Sequence, residues 1–357
     1  MKIIRLIITI VVIIASFGLT VSADSDPNQY INDFENIVPE EYKDLWGDTS
    51  VTLIGPDAVL YELTSAFRSS VGRVGSLFLL LLGGLAIGGA AQSVTGKLSD
   101  SVGVGTSVVI ISASLGISIS VIEEVRSALS LMQSFFAAFI PIATAVSCSS
   151  GAVSTAAAQA MGMNVTLSLL GLLTEPFFTV IAGFGMTVAL ITSFGDGSLS
   201  SFGAGVKRFF LWVIGLAGVL IMGMMSLQSF VAGARDSARM RAAKYAAGSL
   251  IPVVGNTVSG ALGTLVGGLS YAKSMIGAGG VVITTAIVLS PLVMLLLYRT
   301  AVSVLASLGS YIGASGISRA YGALREAFDL FISVYAVAAI LCVFEIALFA
   351  VSGGFNI

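Results

Sequence analysis

The sequence predicts an all-α polytopic membrane protein with about eight transmembrane helices, some of them broken, and a candidate inverted repeat. Three observations carry this. Only 10% of the 357 residues are charged while 56% are hydrophobic, whereas a soluble domain carries roughly 25% charged residues. Apolar runs long enough to cross about 30 Å of hydrocarbon recur along the chain. Many of the 41 glycines and 7 prolines fall inside those runs, which predicts interrupted helices shielded by neighbouring protein.

The elements follow in chain order. Lys2 and Arg5, an apolar stretch over 6–19 and the small-residue pattern Val21-Ser22-Ala23 predict a signal peptide over 1–23, placing residue 24 on the exported side. Residues 24–62 hold ten of the 19 acidic residues against one basic residue, Lys43, with Pro27, Pro39 and Pro56; this reads as an exported, partly disordered segment. Leu60, Leu63, Phe67, Val71 and Val74 recur at helical spacing and predict an amphipathic helix on the outer surface, completing an exported unit over 24–74. The remainder, 75–357, is the multi-span domain. Its expected spans are 75–95, 103–122, 127–147, 166–193, 209–230, 249–272, 279–298 and 328–351, with 301–316 interfacial or re-entrant.

With residue 24 outside, loops 96–102, 148–165, 231–248 and 299–327 fall inside, and Lys273 is a span-end charge outside. Basic residues favour the inner loops only weakly. The loop with Arg235, Arg239, Arg241 and Lys244 is the best anchor and a candidate cytoplasmic docking surface; Lys207 and Arg208 are the worst misfit. Arg126, Arg325 and Asp329 read as snorkelling anchors at span ends.

Several chemistries are excluded or disfavoured. There is no histidine, so a His-based triad is excluded and a zinc site is not expected. Cys148 and Cys342 lie in apolar surroundings and read as buried thiols. No two aspartates sit deep in separate spans, so intramembrane proteolysis is not expected, and neither is any other enzyme activity. No nucleotide-binding loop is present, no cofactor or metal is expected, and a net charge of −2 gives no footprint for nucleic acid.

Two regions look alike. FIPIATAVSCSSGAVSTAAAQ, from Phe139, precedes a run interrupted by Glu175-Pro176; LIPVVGNTVSGALGTLVGGLS, from Leu250, precedes a run interrupted by Ser290-Pro291. Copies over 103–193 and 209–298 would enter the membrane from opposite faces, the arrangement of many transporters. Convergent membrane composition explains the likeness as well.

Glu175 sits mid-run beside Pro176. A central acidic residue costs about 3 kcal/mol to insert, so it reads as a polar lining or as an interhelical hydrogen bond. Glu345 in the last span is the lesser candidate, being near a surface. Pro252, Gly255 and Asn256 predict a helix break. Ser259, Gly263 and Gly267 recur every four residues and put small side chains on one face for close helix packing.

Residues 244–283, KYAAGSLIPVVGNTVSGALGTLVGGLSYAKSMIGAGGVVI, followed by SPLVMLLLYRTAVSVLASL over 290–308, resemble the C-terminal signature of the stage III sporulation protein AE family. The resemblance implies a protein of the mother-cell membrane around the forespore. It also implies a secretion-like channel complex whose other members are stage III A proteins, including a cytoplasmic ATPase and ring-forming subunits, reaching the forespore stage II Q protein. The expected role is a permease-like subunit; the alternative is a non-conducting scaffold for ring and motor subunits.

Overall fold

The computed structural model describes residues 28–43, 56–94, 99–174, 198–250 and 255–352, with the single positions 180, 183 and 187. Among these residues the protein is all helical, as expected. Seven helices follow in order: α1 (Asn28–Ile37), α2 (Pro56–Val94), α3 (Ser99–Ser149), α4 (Val153–Leu172), α5 (Ser198–Leu250), α6 (Gly255–Tyr311) and α7 (Ser315–Val351). Five of them carry a stretch long and apolar enough to cross a membrane: Leu63–Ala90, Ile119–Ser149, Arg208–Arg239, Gly267–Tyr311 and Gly316–Val351.

The apolar runs are fused into longer rods than the sequence suggests. The expected spans 103–122 and 127–147 are one helix, α3, and 279–298 continues through the supposedly re-entrant 301–316 as far as Tyr311. The 57 residues of α6 correspond to about 85 Å at 1.5 Å per residue. Interior prolines do not end these helices: α3 runs through Pro141 and α6 through Pro291. Each proline frees a carbonyl four residues earlier, at Ala137 and Ile287, a defect tolerated where other helices surround it. The amphipathic stretch before residue 74 does not lie apart on a surface; it is the first half of α2, and Leu63 and Ala66 pack on Leu289, Val293 and Leu297 of α6.

Two tight hairpins organise the bundle, and their turns are chemically the same. At the first, Gly151 (φ 84°) follows α3 and the Ala152 N–H donates to the Ser147 carbonyl at 3.0 Å. At the second, Gly313 (φ 83°) follows α6 and the Ala314 N–H donates to the Gly309 carbonyl at 2.9 Å. Each is a glycine-terminated cap whose six-to-one bond satisfies an orphan carbonyl, with the following alanine opening the next helix.

The register along the second hairpin is read from its pairs: the Tyr298 and Phe328 rings stack at 6.0 Å, and the Arg299 guanidinium donates to Asp329 at 2.6 Å. Further from the turn, Gly280 meets Ile346 and Gly277 meets Ala350. α2 runs parallel to α6, with Leu85 against Gly309 and the Tyr321 hydroxyl of α7 donating to the Leu81 carbonyl at 2.8 Å. α3 returns antiparallel, joined to α2 by Arg73 and Glu124 at 2.7 Å.

The Gly151 turn lies beside the open end of the α6–α7 hairpin, since Gln159 of α4 donates to Ser352 at 2.7 Å. The two hairpins therefore enter from opposite ends. This opposed pair differs from the repeat traced in the sequence, which was aligned on Pro141 and Pro252; Pro252 lies outside the described residues.

The exported segment and the 231–248 stretch were expected on opposite faces; in the bundle, Tyr30 at the start of α1 and Asp236 of α5 both lie beside the Gly151 turn. The Tyr30 hydroxyl of α1 lies 2.8 Å from Ser149 Oγ, and Asp236 of α5 accepts from the Ser154 and Thr155 N–H groups. The 231–248 stretch is also helix rather than loop, consistent with its Ala, Arg and Lys content.

Candidate functional site

Gln159 of α4, Asp236 of α5, Lys273 of α6 and Glu345 of α7 are buried polar side chains in the core near the Gly151 turn, alongside the smaller buried Ser147, Ser150 and Thr155. The four larger side chains are at least nine-tenths buried, and Lys273 is only 1% exposed. Charged groups in such surroundings are rare because burial removes hydration that apolar neighbours cannot replace.

Each is placed by local structure. α4 starts at Val153 after Ala152, which has no side chain able to cap it. The cap arrives from another helix. Asp236 spreads its two carboxylate oxygens over the first turn of α4, 3.1 Å from the Ser154 N–H and 2.6 Å from the Thr155 N–H. A carboxylate there also complements the positive end of the helix dipole. Arg239, one turn further along α5, donates to Ser154 Oγ at 3.0 Å and lies 3.8 Å from Asp236.

Lys273 projects from α6 over the Phe349 ring, with Nζ 5.0 Å from the centroid, a cation–π contact that partly replaces lost water. Phe349 itself packs edge-on against Phe139, and Phe139 against Phe34 of α1, so an aromatic chain ties the N-terminal helix to the lysine. Glu345 lies one turn before Phe349 on α7 and faces α4 at Gly162. A Cβ on that glycine would sit 3.1 and 3.3 Å from the two carboxylate oxygens, so the absence of a side chain lets the carboxylate approach the α4 backbone. Neither Lys273 Nζ nor Glu345 Oε1 has a hydrogen-bond partner among the described residues. Gln159 spans the same seam, its amide donating to the Leu348 carbonyl at 3.3 Å and to Ser352 at 2.7 Å.

Of the side chains singled out in the sequence, Glu345 belongs to this cluster and is buried, although it was expected near a surface. Glu175 and Pro176 lie outside the described residues, as does Pro252. Gly255, Asn256, Ser259 and Gly263 fall in the opening turns of α6, which begins at Gly255 after α5 ends at Leu250. Gly267 is exposed, and a Cβ there would meet nothing within 4 Å. Arg235, Arg239 and Arg241 are exposed along α5, and Lys244 is on the same helix.

Lys273, expected as a charge at a span end, is buried within α6 beneath Phe349 of α7. One expectation is corrected. Cys148 is not a buried thiol: it is exposed, while Cys342 is buried. Sequence reasoning missed Gln159, Asp236 and Lys273. The available signal was weak: a lysine between two glycine-rich apolar runs, and an aspartate among arginines.

The stage III sporulation protein AE family profile matches residues 89–353, a span that contains α3 to α7 and all four residues of the cluster. A curated relative, Stage III sporulation protein AE of Bacillus subtilis (strain 168), is 23% identical over 193 residues, covering 53% of this chain and 48% of that protein. The matched region thus spans about half the length of that relative. No solved structure matches the chain. With the profile covering the whole hairpin core, the chain belongs to the stage III sporulation protein AE family, and five of its helices are long and apolar enough to cross a membrane.

Proposed function

We propose that the chain is the permease-like membrane subunit of a secretion-like channel complex between mother cell and forespore, working with other stage III sporulation proteins. The observation that supports this is the polar cluster of Gln159, Asp236, Lys273 and Glu345 buried between four apolar helices. Apolar residues of similar volume would hold the same helices together at no loss of stability. Ionisable groups retained inside a membrane bundle mark a polar route or a moving part.

The cluster couples helices in a specific way. Asp236 on α5 holds the start of α4, while Glu345 on α7 presses against Gly162 of the same helix. A shift of α5 therefore releases the α4 cap and loosens the seam that Glu345 and Gln159 occupy. Opening at this seam would admit a polar species along α4, driven by the ATPase partner; ring-forming subunits and the forespore stage II Q protein would extend the route. This chain contributes no covalent chemistry in this reading.

The test replaces Glu345→Gln and, separately, Lys273→Met in a spore-forming host whose own copy is deleted. Heat-resistant spores should fall by at least about 100-fold while the variant chain accumulates and co-purifies with the other stage III proteins. Spores at the parental frequency in both variants would remove the conducting role and leave the scaffold reading.

A further inference from the structure

The position of α1 fixes the side on which the basic end of α5 is offered. α1 rests on the last turns of α3: besides the Tyr30–Ser149 contact, Phe34 is fully buried with its ring 6.4 Å from Phe135 and 6.0 Å from Phe139. Ser149 leads through the Gly151 turn to Ser154, which is held by Asp236 and Arg239. Consecutive Cα atoms are 3.8 Å apart, so Ser149 and Ser154 are separated by at most about 19 Å. A hydrocarbon core is about 30 Å thick and does not fit between them. The segments touching these two serines therefore do not lie on opposite sides of the membrane.

Two further features bear on which side. The charged, apolar and small-residue pattern of residues 1–23 predicts that residue 24 is on the exported face, and α1 begins only four residues later, at Asn28. The opposite half of the bundle, towards the Gly313 turn, holds Arg73, Arg126, Arg299, Arg319 and Arg325, and α5 enters from that end with Arg208. Those six arginines, set against Arg235, Arg239, Arg241, Lys244 and Lys273 at the Gly151 end, give a weak positive-inside bias towards the Gly313 end. Lys207 and Arg208, which contradict the alternation of loops read from the sequence, then lie on the expected side.

We propose that the end of α5 bearing Arg235, Arg239, Arg241 and Lys244 is presented on the exported face beside α1, so that a partner reading those residues is an extracytoplasmic one. The cytoplasm meets the Gly313 end instead. This assignment is independent of whether the bundle conducts.

The full chain carrying Cys148→Ser and Cys342→Ala is expressed with single reporters: Glu41→Cys beside α1, Arg241→Cys on α5, and Tyr311→Cys at the far turn, where the native side chain is 91% exposed. A membrane-impermeant maleimide is added to intact cells and to permeabilised ones. Glu41→Cys and Arg241→Cys should label equally in both, and Tyr311→Cys at least tenfold better after permeabilisation. Arg235→Cys repeats the α5 measurement if the Arg241 variant fails to accumulate. Labelling of the α5 reporters only after permeabilisation overturns the proposal, whether or not Glu41→Cys behaves the same way. So does labelling of Tyr311→Cys in intact cells.

Discussion

Helices α5 and α6 have nearly the same apolar character and opposite surroundings. The most apolar 18 residues within Arg208–Arg239 have a mean hydropathy of 2.2 and are 11% buried, while those within Gly267–Tyr311 have 2.5 and are 78% buried. In water such stretches would both be driven inside. In a bilayer the acyl chains are as apolar as leucine, so hydropathy loses that meaning and close packing decides which helix is central. α5 shows Phe209, Trp212, Leu220, Leu227 and Phe230 outward. α6 instead meets α7 through Gly277 and Gly280, where backbones approach too closely for most side chains. The basic residues follow the same division, with Lys273 of α6 buried and Arg208, Arg235, Arg239 and Arg241 of α5 exposed.

The sharpest way to break this contrast is to add one methyl group to each helix. A Cβ at Gly277 would lie 2.5 Å from the Ala350 Cβ and 2.7 Å from its Cα. Backbone must then move, so Gly277→Ala should destabilise by about 3 kcal/mol, the upper part of the overpacking range. At Gly280 the obstacles are the Ile346 methyl at 2.8 Å and the Phe139 ring at 3.0 Å; these side chains can yield, and about 1–2 kcal/mol is expected for Gly280→Ala. Gly223 on α5 has nothing within 4 Å, and Gly223→Ala should stabilise by up to about 1 kcal/mol through helix propensity. Melting of the purified chain in detergent measures all three. Equal shifts at Gly277 and Gly223 would remove the distinction between the helices.

Asp236 is where the outer helix is fastened to the core. Asp236→Ala removes both acceptors from the first turn of α4 and should cost about 1–2 kcal/mol. Hydrogen exchange reports it locally: the Thr155 amide should exchange roughly tenfold faster, because about 1.4 kcal/mol corresponds to a factor of ten. Amides of α4 beyond its second turn should change less. Unaltered exchange at Thr155 would mean that the cap does not secure α4.

These residues also mark how far the sequence could be read. The helical membrane class needed only composition, and Glu345 stood out because a carboxylate in an apolar run is expensive. Span boundaries were harder, because glycines and prolines that break helices in water are tolerated within a bundle; α3 passes Pro141 and α6 passes Pro291. Lys273 looked like a boundary for the same reason. Asp236 was hidden differently. Among Arg235, Arg239 and Arg241 it resembles a solvated charge run, and its partners are 82 and 81 residues away in sequence. The turns at Gly151 and Gly313 depend on positive φ, a property of the backbone that the other glycines among the described residues do not share. Gly151→Ala and Gly313→Ala should each cost about 1 kcal/mol, the same at both turns since φ is 84° and 83°.

The smallest effect is the most informative about α5. Leu227 is 68% exposed, and a leucine facing acyl chains gains little from burial against protein. In the purified chain, Leu227→Ala should change stability by less than about 0.5 kcal/mol, against the 2–5 kcal/mol typical when a packed leucine is truncated. Repeating the substitution in sporulating cells separates two surroundings for this face. Normal spore formation is the expectation for a helix bordered by lipid. Loss of spores with the isolated chain unaffected would instead make α5 a contact with another protein of the complex, and the contrast with α6 would then be between two packing partners rather than between protein and lipid.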